Sequence, residues 1–392
     1  MEESTNIDTG KDFINDMKQN TGAFPEVISL RITALRFLLS VLVVFSHNNY
    51  TSEMIAGAVN KGGISYIFCP NKFTIWLQYI ISNGFASCSV PIFFLFAAYL
   101  QSRKNDSYGT LLRKRAKSLL LPYFLWIGIY LIYQIFGKLI IAKLFPSILA
   151  HPGITVSTWG IKNWISYIWG YGKYMGLDEI GCNPVAAEQF WFVRDLMILV
   201  LISPILRYFM KVIPICFFIS LTILYLVEIP VYFVSTSALF YYSVGLYWGI
   251  FNLQLLENID RVSWIEMVVG YIFILVVGRV FITELIFVNE IKILISCIFF
   301  LKFSTLILKN EKCFSSAKYF ASFSFFLYAV HMPAMLLLFQ TIWLRFFPMK
   351  NAFFCIFEYF GVTIITIIIG TSIGIILKKK CPSLFSLLNG GR

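Results

Sequence analysis

Residues 31–50 read RITALRFLLSVLVVFSHNNY, and this stretch decides the fold. It is an apolar run that contains Arg36 near one end and His47 near the other. A helix of about 20 such residues is about 30 Å long, which matches the hydrocarbon core of a bilayer. We place this span at 28–48 as the first of about ten. The others are predicted at 82–101, 118–137, 189–208, 211–229, 234–252, 262–280, 285–308, 320–343 and 353–377.

The composition indicates the same environment for the whole chain. Hydrophobic residues make up 58% of the 392 residues and charged residues 13%, with a mean hydropathy of +0.77. Such a chain has too little polar surface to cover a soluble globule. Its long apolar runs lack the alternation of an outer-membrane barrel, so helices must satisfy the backbone hydrogen bonds in lipid. The predicted fold class is all-α, a polytopic integral membrane helical bundle.

The positions of Lys and Arg predict the orientation of this bundle. Most of the 32 Lys and Arg residues precede the first span, follow the last, or lie in the even-numbered connections, which the positive-inside rule assigns to the cytoplasm. We therefore expect a polar cytoplasmic segment at 1–27, a ten-helix domain at 28–380 and a short cytoplasmic tail at 381–392, in the cell membrane. Residues 1–26 do not resemble a signal peptide.

The net charge of +12 does not indicate nucleic acid, because the basic residues lie in short clusters between apolar runs, where topology and anionic lipid explain them. The eight cysteines show no CxxC or paired Cys/His spacing, so no metal site is expected. Cys69 and Cys182 fall in predicted external loops, where they either pair or remain unrelated thiols. The loops at about 49–81 and 138–188 are also rich in Trp and Tyr, which indicates interfacial belts or a sugar-stacking surface.

Arg36 and His47 share one face of the first span. Their separation of 11 residues corresponds to about 1100° of rotation and about 16 Å of rise on an ideal helix. This arrangement suits a cation that holds an anionic donor and an imidazole that deprotonates an acceptor. The alternatives are a hydrogen-bonded histidine inside the bundle and an arginine that extends to the inner headgroups.

Five stretches together resemble one family, the acyltransferase type 3 membrane acyltransferases. The first span carries the family's Arg-x10-His pattern at Arg36 and His47. The second, VPIFFLFAAYLQSRK at 90–104, has Ala97 and Ala98 where Ser-Gly is usual. The remaining three are LLRKRAKSLLLPYFLW at 111–126, EQFWFVRDLMILVLISPIL at 188–206 and SFSFFLYAVHMPA at 322–334.

The resemblance implies a ten-helix core that transfers an acyl group, commonly acetyl, from cytoplasmic acyl-CoA to a hydroxyl of a surface polysaccharide or lipid-linked sugar. It also implies the stand-alone type, without an appended hydrolase-like domain. The expected partners are acyl-CoA as co-substrate, the saccharide acceptor and the lipid bilayer, with no bound cofactor.

The candidate site follows from these motifs. His47 is the expected general base, with a covalent acyl-His intermediate left open. Asp195 is expected to orient His47 as in a triad, or else to form a salt bridge to another helix. The phosphates of CoA are expected to bind four basic residues, Arg36, Arg113, Lys114 and Arg115. Membrane topology alone also explains the last three. Further residues are expected to line the site: Arg194, Trp191, Tyr328 and His331.

Two other classes of protein remain open at this stage. A transporter or flippase for a lipid-linked saccharide would place Arg36, His47, Arg194 and His331 along a path. Against it, the sequence shows no matched halves with Gly/Pro-broken helices. A non-catalytic membrane assembly subunit is the third hypothesis.

Overall fold

The computed structural model describes residues 24–49, 58–61, 64–67, 70–104, 106–144, 156–157, 159–170, 186–280 and 287–391. Each of the ten predicted spans coincides with a helix in these ranges. Cys69, Cys182 and most of the segment 1–27 lie outside the described residues.

The described part of the chain is mostly helical. Eighteen α-helices are described: α1 Phe24–His47, α2 Lys72–Gln78, α3 Ser89–Ser102, α4 Tyr108–Arg115, α5 Leu121–Ile132, α6 Lys138–Leu144, α7 Ile161–Ile168, α8 Trp191–Val212, α9 Pro214–Leu226, α10 Thr236–Phe251, α11 Leu255–Arg261, α12 Trp264–Val280, α13 Val288–Lys309, α14 Glu311–Ala321, α15 Ser324–Val330, α16 Leu336–Phe346, α17 Ala352–Lys380 and α18 Pro382–Leu388.

Seven helical segments of the described chain are long and apolar enough to cross a membrane, and the bent pair α11 and α12 makes up to eight. The remaining predicted spans, α9 and α10, are shorter helices. Large apolar side chains on the outside of the bundle suit contact with lipid, since Ile215 and Ile265 are 74% and 78% exposed. The chain is therefore a multi-pass helical bundle, as predicted.

Two spans are longer than the hydropathy pattern indicates. π-helical and 3-10 turns at 79–88 join α2 to α3 into one segment, Lys72–Ser102, and similar turns join α4, α5 and α6 into Tyr108–Leu144. The predicted external segments 49–81 and 138–188 are thus partly helical. The first also contains a two-stranded antiparallel hairpin, β1 Ala58–Lys61 and β2 Ile64–Ile67.

The closest helix–helix contact joins α3 to α10. A Cβ at Gly245 would fall against the backbone of Leu95, and a Cβ at Gly249 would fall against the Ser102 side chain. Two glycines four residues apart allow helix backbones to approach closely. The two glycines of α10 thus allow the close approach. They face the segment of α3 in which Ala97 and Ala98 stand where the family pattern has Ser-Gly.

Buried polar contacts tie α1 to α11 and α13 at one end of the bundle. The Arg31 guanidinium forms an ion pair with Asp260, and Lys302 donates to the backbone carbonyl of Asp260 at 3.1 Å. Lys302 lies within α13 and is 4% exposed, and its charge is satisfied by carbonyl oxygens.

Candidate functional site

His47 lies at the last residue of α1, and the structure brings it to His331, where α15 passes into a π-helical turn. His331 Nε2 lies 3.4 Å from His47 Nδ1, and the two ring centroids are 5.0 Å apart. His331 is fully buried, whereas His47 is half-buried. The first and last motifs of the sequence therefore form one histidine pair.

The neighbouring carbonyls fix the proton positions on both neutral rings. His331 Nδ1 lies 2.7 Å from the Tyr328 carbonyl oxygen, which only accepts, so this nitrogen carries the hydrogen and Nε2 is an acceptor. His47 Nδ1 lies 2.9 Å from the Val43 carbonyl oxygen and faces His331 Nε2, so it also carries its hydrogen. The Nε2 of His47 then keeps its lone pair, as a general base requires.

The backbone around His331 is held by side chains from other helices. Gln189 Nε2 donates to the carbonyls of Ala329, at 3.2 Å, and Met332. The Tyr130 hydroxyl also donates to the Ala329 carbonyl, and the Tyr328 hydroxyl donates to the Gln189 carbonyl. This network fixes the orientation of the His331 ring.

Asn48, the residue after His47, anchors the end of α1. It is 1% exposed, and its Nδ2 donates to the Tyr359 carbonyl and to Thr363 Oγ1, both at 3.1 Å. Gln340 Nε2 donates to Asn48 Oδ1. Three hydrogen bonds to α16 and α17 therefore set the position of the adjacent imidazole.

A cavity of about 280 Å³ runs along the face of α1 that bears Ile32, Arg36 and Ser40. Its apolar walls come from α3, α8 and α15 and include Ala97, Phe192 and Tyr328. Tyr328 also contacts the pair, with its ring centroid 6.2 Å from that of His331. The cavity and the histidine pair are thus joined through Tyr328.

Three cations line this cavity, namely Arg36, Lys104 and Arg115. Arg36 is half-buried, and its guanidinium forms no ion pair within the described residues. Arg36 and Arg115 were predicted to bind the acyl donor. Lys104 was not predicted, because it is one of several basic residues in the connection between two spans. The orientation of the protein in the membrane explains such residues as well as ligand binding does.

Arg113 and Lys114 do not line the cavity. Both are exposed, and Lys114 forms an ion pair with Asp106 at 2.6 Å. The helical rotation of about 100° per residue explains the difference, since it turns Arg115 toward the cavity and its two predecessors away from it.

The structure does not bring Asp195 to His47. Its carboxylate oxygens are engaged by the Arg194 guanidinium at 3.0 Å and by the Ser235 backbone N–H at 2.8 Å. Arg194 also donates to the Trp169 carbonyl, and the side chains of the pair are 1% and 0% exposed. No hydrogen bond joins Asp195 to His47 in the described part of the chain, so the expected triad is replaced by a structural ion pair.

Glu188 is exposed in the turn before α8, next to Gln189, whose side chain holds the backbone around His331. The sequence does not single out Glu188, because an exposed acidic residue at a helix entrance is common. Trp191 is half-buried against Phe94, with ring centroids 6.2 Å apart, and does not line the cavity.

The aromatic residues of the predicted external loop pack largely on one another. The Trp159 ring lies 4.9 Å from Trp164 and 5.0 Å from Tyr167, and Tyr167 is 2% exposed. This cluster closes against the bundle, since the Tyr123 hydroxyl donates to the Ile168 carbonyl. Among the described residues, no group of three His, Cys, Asp or Glu side chains could hold a metal ion.

Comparisons with known proteins agree with the sequence motifs. A family model described as an acyltransferase domain matches residues 30–377. The succinoglycan biosynthesis protein ExoH of Rhizobium meliloti (strain 1021) is 24% identical over 241 residues. That match covers 60% of this chain and 57% of the relative, so the chain spans little more than half the length of the relative. No solved structure matches.

Proposed function

Because the chain belongs to this acyltransferase family, we propose that it transfers an acyl group, acetyl in the simplest case, from cytoplasmic acyl-CoA to a hydroxyl of a surface polysaccharide or lipid-linked saccharide. The acceptor class is supported by the similarity to a succinoglycan biosynthesis protein. The observation that carries the proposal is that Tyr328, which lines the cation-lined cavity, also packs against His331 of the histidine pair.

The donor end of the reaction takes place in the cavity. Arg36, Lys104 and Arg115 supply positive charge for the phosphates of CoA, and Arg36 and Arg115 can also grip phosphate oxygens bidentately. The apolar walls accept the pantetheine arm and carry the thioester toward Tyr328 and the histidines.

The chemical step uses the free lone pair of His47 Nε2. This nitrogen removes the proton of the acceptor hydroxyl while the oxygen attacks the thioester carbonyl. The C–O bond forms, the C–S bond breaks, and the proton passes from His47 to the leaving thiolate. Acyl ester and free CoA are the products.

His331 assists without touching substrate. It accepts the Nδ1 hydrogen of His47 through Nε2 and so holds the reactive tautomer.

The test is transfer of labelled acetyl from acetyl-CoA by the purified chain in lipid vesicles. We expect acetyl-CoA to be consumed only when surface saccharide extracted from unacetylated cells is added, with one acetyl mass gained per ester. Consumption without saccharide, or saccharide movement across the vesicle without acetylation, would contradict the proposal and favour a transporter.

A further inference from the structure

The last residues of the chain form an ordered helix, although the sequence predicts a short tail. Helix α17 ends at Lys380, the chain reverses at Cys381, and α18 occupies Pro382–Leu388. Phe385 and Leu388 on one side of α18 are 3% and 7% exposed. The family match ends at residue 377, so this helix lies beyond it.

Specific contacts hold this C-terminal segment, residues 381–391, against the bundle. Trp126 Nε1 donates to the Leu388 carbonyl at 3.0 Å, and Asn389 Nδ2 donates to the Ser322 carbonyl at 3.0 Å. The Phe385 ring packs against Phe323, with centroids 5.6 Å apart. The segment therefore joins α5 to the turn between α14 and α15.

Lys378 strengthens this attachment from the end of α17. Its Nζ donates to Ser322 Oγ at 3.1 Å and lies 5.0 Å and 5.9 Å from the ring centroids of Phe323 and Phe385. A cation over two aromatic rings adds to the packing energy of the segment.

Gly390 allows the backbone to pass close to the Ser118 carbonyl. Its φ of +69° is in the left-handed region, and a Cβ at this residue would fall against the Ser118 carbonyl. A larger residue is excluded both by backbone conformation and by space.

The segment reaches the proposed donor cavity. Asn389 is fully buried and lines the cavity together with Ser322, Arg36, Lys104 and Arg115. Ser118, beside Gly390, belongs to the same continuous helical segment as Arg115. The C-terminal segment thus contributes Asn389 to the cavity lining and packs against the helical segment that carries Arg115.

We propose that the C-terminal segment is a fixed wall of the acyl-donor site, and that Asn389, which lies beyond the residues matched by the family model, is a donor-binding residue. This inference rests on the proposed function, since it takes acyl-CoA as the occupant of the cavity. The segment acts on donor affinity and not on the histidine chemistry, because none of the contacts described above joins it to either histidine.

The experiment measures binding of CoA to the full-length protein in nanodiscs and the KM for acetyl-CoA during transfer. Asn389→Ala should raise both the Kd and the KM by about 3- to 10-fold, the range for a lost hydrogen-bonding side chain. Gly390→Val, which displaces the segment but keeps Asn389, should raise them at least as much. In both variants kcat should stay within about two-fold of the parent.

Leu384→Ala is the matched control, because Leu384 is on the same helix but is 45% exposed and outside the cavity. It should leave Kd and KM unchanged. A further variant is a chain truncated after Lys380. If the truncated chain fails to fold, the Kd and KM of Asn389→Ala decide whether the C-terminal segment contributes to donor binding.

Unchanged Kd and KM in Asn389→Ala and Gly390→Val, in protein whose parent binds CoA, would overturn the wall while leaving the proposed function intact. A fall in kcat with unchanged KM would also overturn it. Failure of the parent itself to bind CoA would instead remove the proposed donor, and the wall with it.

Discussion

His47 and His331 differ in which of their ring nitrogens form hydrogen bonds. Both nitrogens of His331 have hydrogen-bond partners, the Tyr328 carbonyl and the partner ring, whereas within the described residues only Nδ1 of His47 has one. The free nitrogen is also on the more exposed ring of the two. The geometry therefore gives the two histidines distinct roles.

We expect His47→Gln to lower kcat by about 100- to 10,000-fold, the range for loss of a general base. His331→Gln should have a smaller effect on kcat and little effect on the KM for acetyl-CoA, because it removes only the partner that holds the tautomer. Initial rates at saturating donor measure both, with Ser46→Ala as a neighbouring control. Activity of His47→Gln within a few-fold of the parent would remove His47 from the chemistry.

Arg36→Lys should raise the KM for acetyl-CoA because an ammonium does not reproduce the bidentate grip of a guanidinium on phosphate. Arg115→Ala should act in the same direction. Arg113→Ala tests the selection made by the structure, since Arg113 is exposed and outside the cavity and should behave as the parent. Equal KM changes in Arg113→Ala and Arg115→Ala would show that the donor senses only the general basic charge.

At the scale of elements, helix ends and close contacts set the geometry of the site. Asn48, at the end of α1, forms hydrogen bonds with residues of α16 and α17. Helix α3 packs closely against α10 at Gly245. The beginning of α8 is fixed by the Arg194–Asp195 pair. For each of these contacts, the expected effect of a substitution on folding stability differs from its expected effect on kcat.

Asp195→Ala should destabilise the folded protein by about 3–5 kcal/mol, because it leaves the buried Arg194 charge without its carboxylate. Thermal unfolding in detergent measures this loss. The fraction that folds should retain most of its kcat, since Asp195 is not bonded to His47. A kcat loss as large as that of His47→Gln, at unchanged melting temperature, would restore the triad.

Gly245→Val should destabilise the bundle by about 1–3 kcal/mol, the usual cost of inserting side-chain atoms into a packed contact. The added atoms would meet the Leu95 backbone, which cannot move away without separating α3 from α10. Gly270→Ala is the control, because no atom lies within 4 Å of a Cβ there. Equal melting temperatures for Gly245→Val and the parent would contradict this packing.

For the whole molecule, the orientation in the membrane decides whether the cation-lined end of the cavity meets cytoplasmic CoA. The basic connections predict that Ser107 is inside and Ser157 outside, and both residues are exposed. In a background without native cysteines, Ser157→Cys should react with an impermeant maleimide in intact cells. Ser107→Cys should react only after permeabilisation, and the reverse pattern would rule out donation from the cytoplasm.

From the sequence alone the helical membrane bundle follows, because burial in lipid imposes long apolar runs that are read locally. The sequence also selected Arg36, His47, Tyr328 and His331, since costly polar residues within apolar runs are few. The family motifs supplied their order.

Only the tertiary structure decided which of these residues meet. The pairing of His47 with His331 joins positions 284 residues apart, and no local pattern encodes such a contact. The direction in which a side chain leaves its helix places Arg115 at the cavity and Arg113 outside it. It also pairs Asp195 with Arg194. The C-terminal segment became part of the cavity for the same reason: its seven-residue helix has too little apolar surface to show in hydropathy, and it is stabilised by packing against a bundle that is already formed.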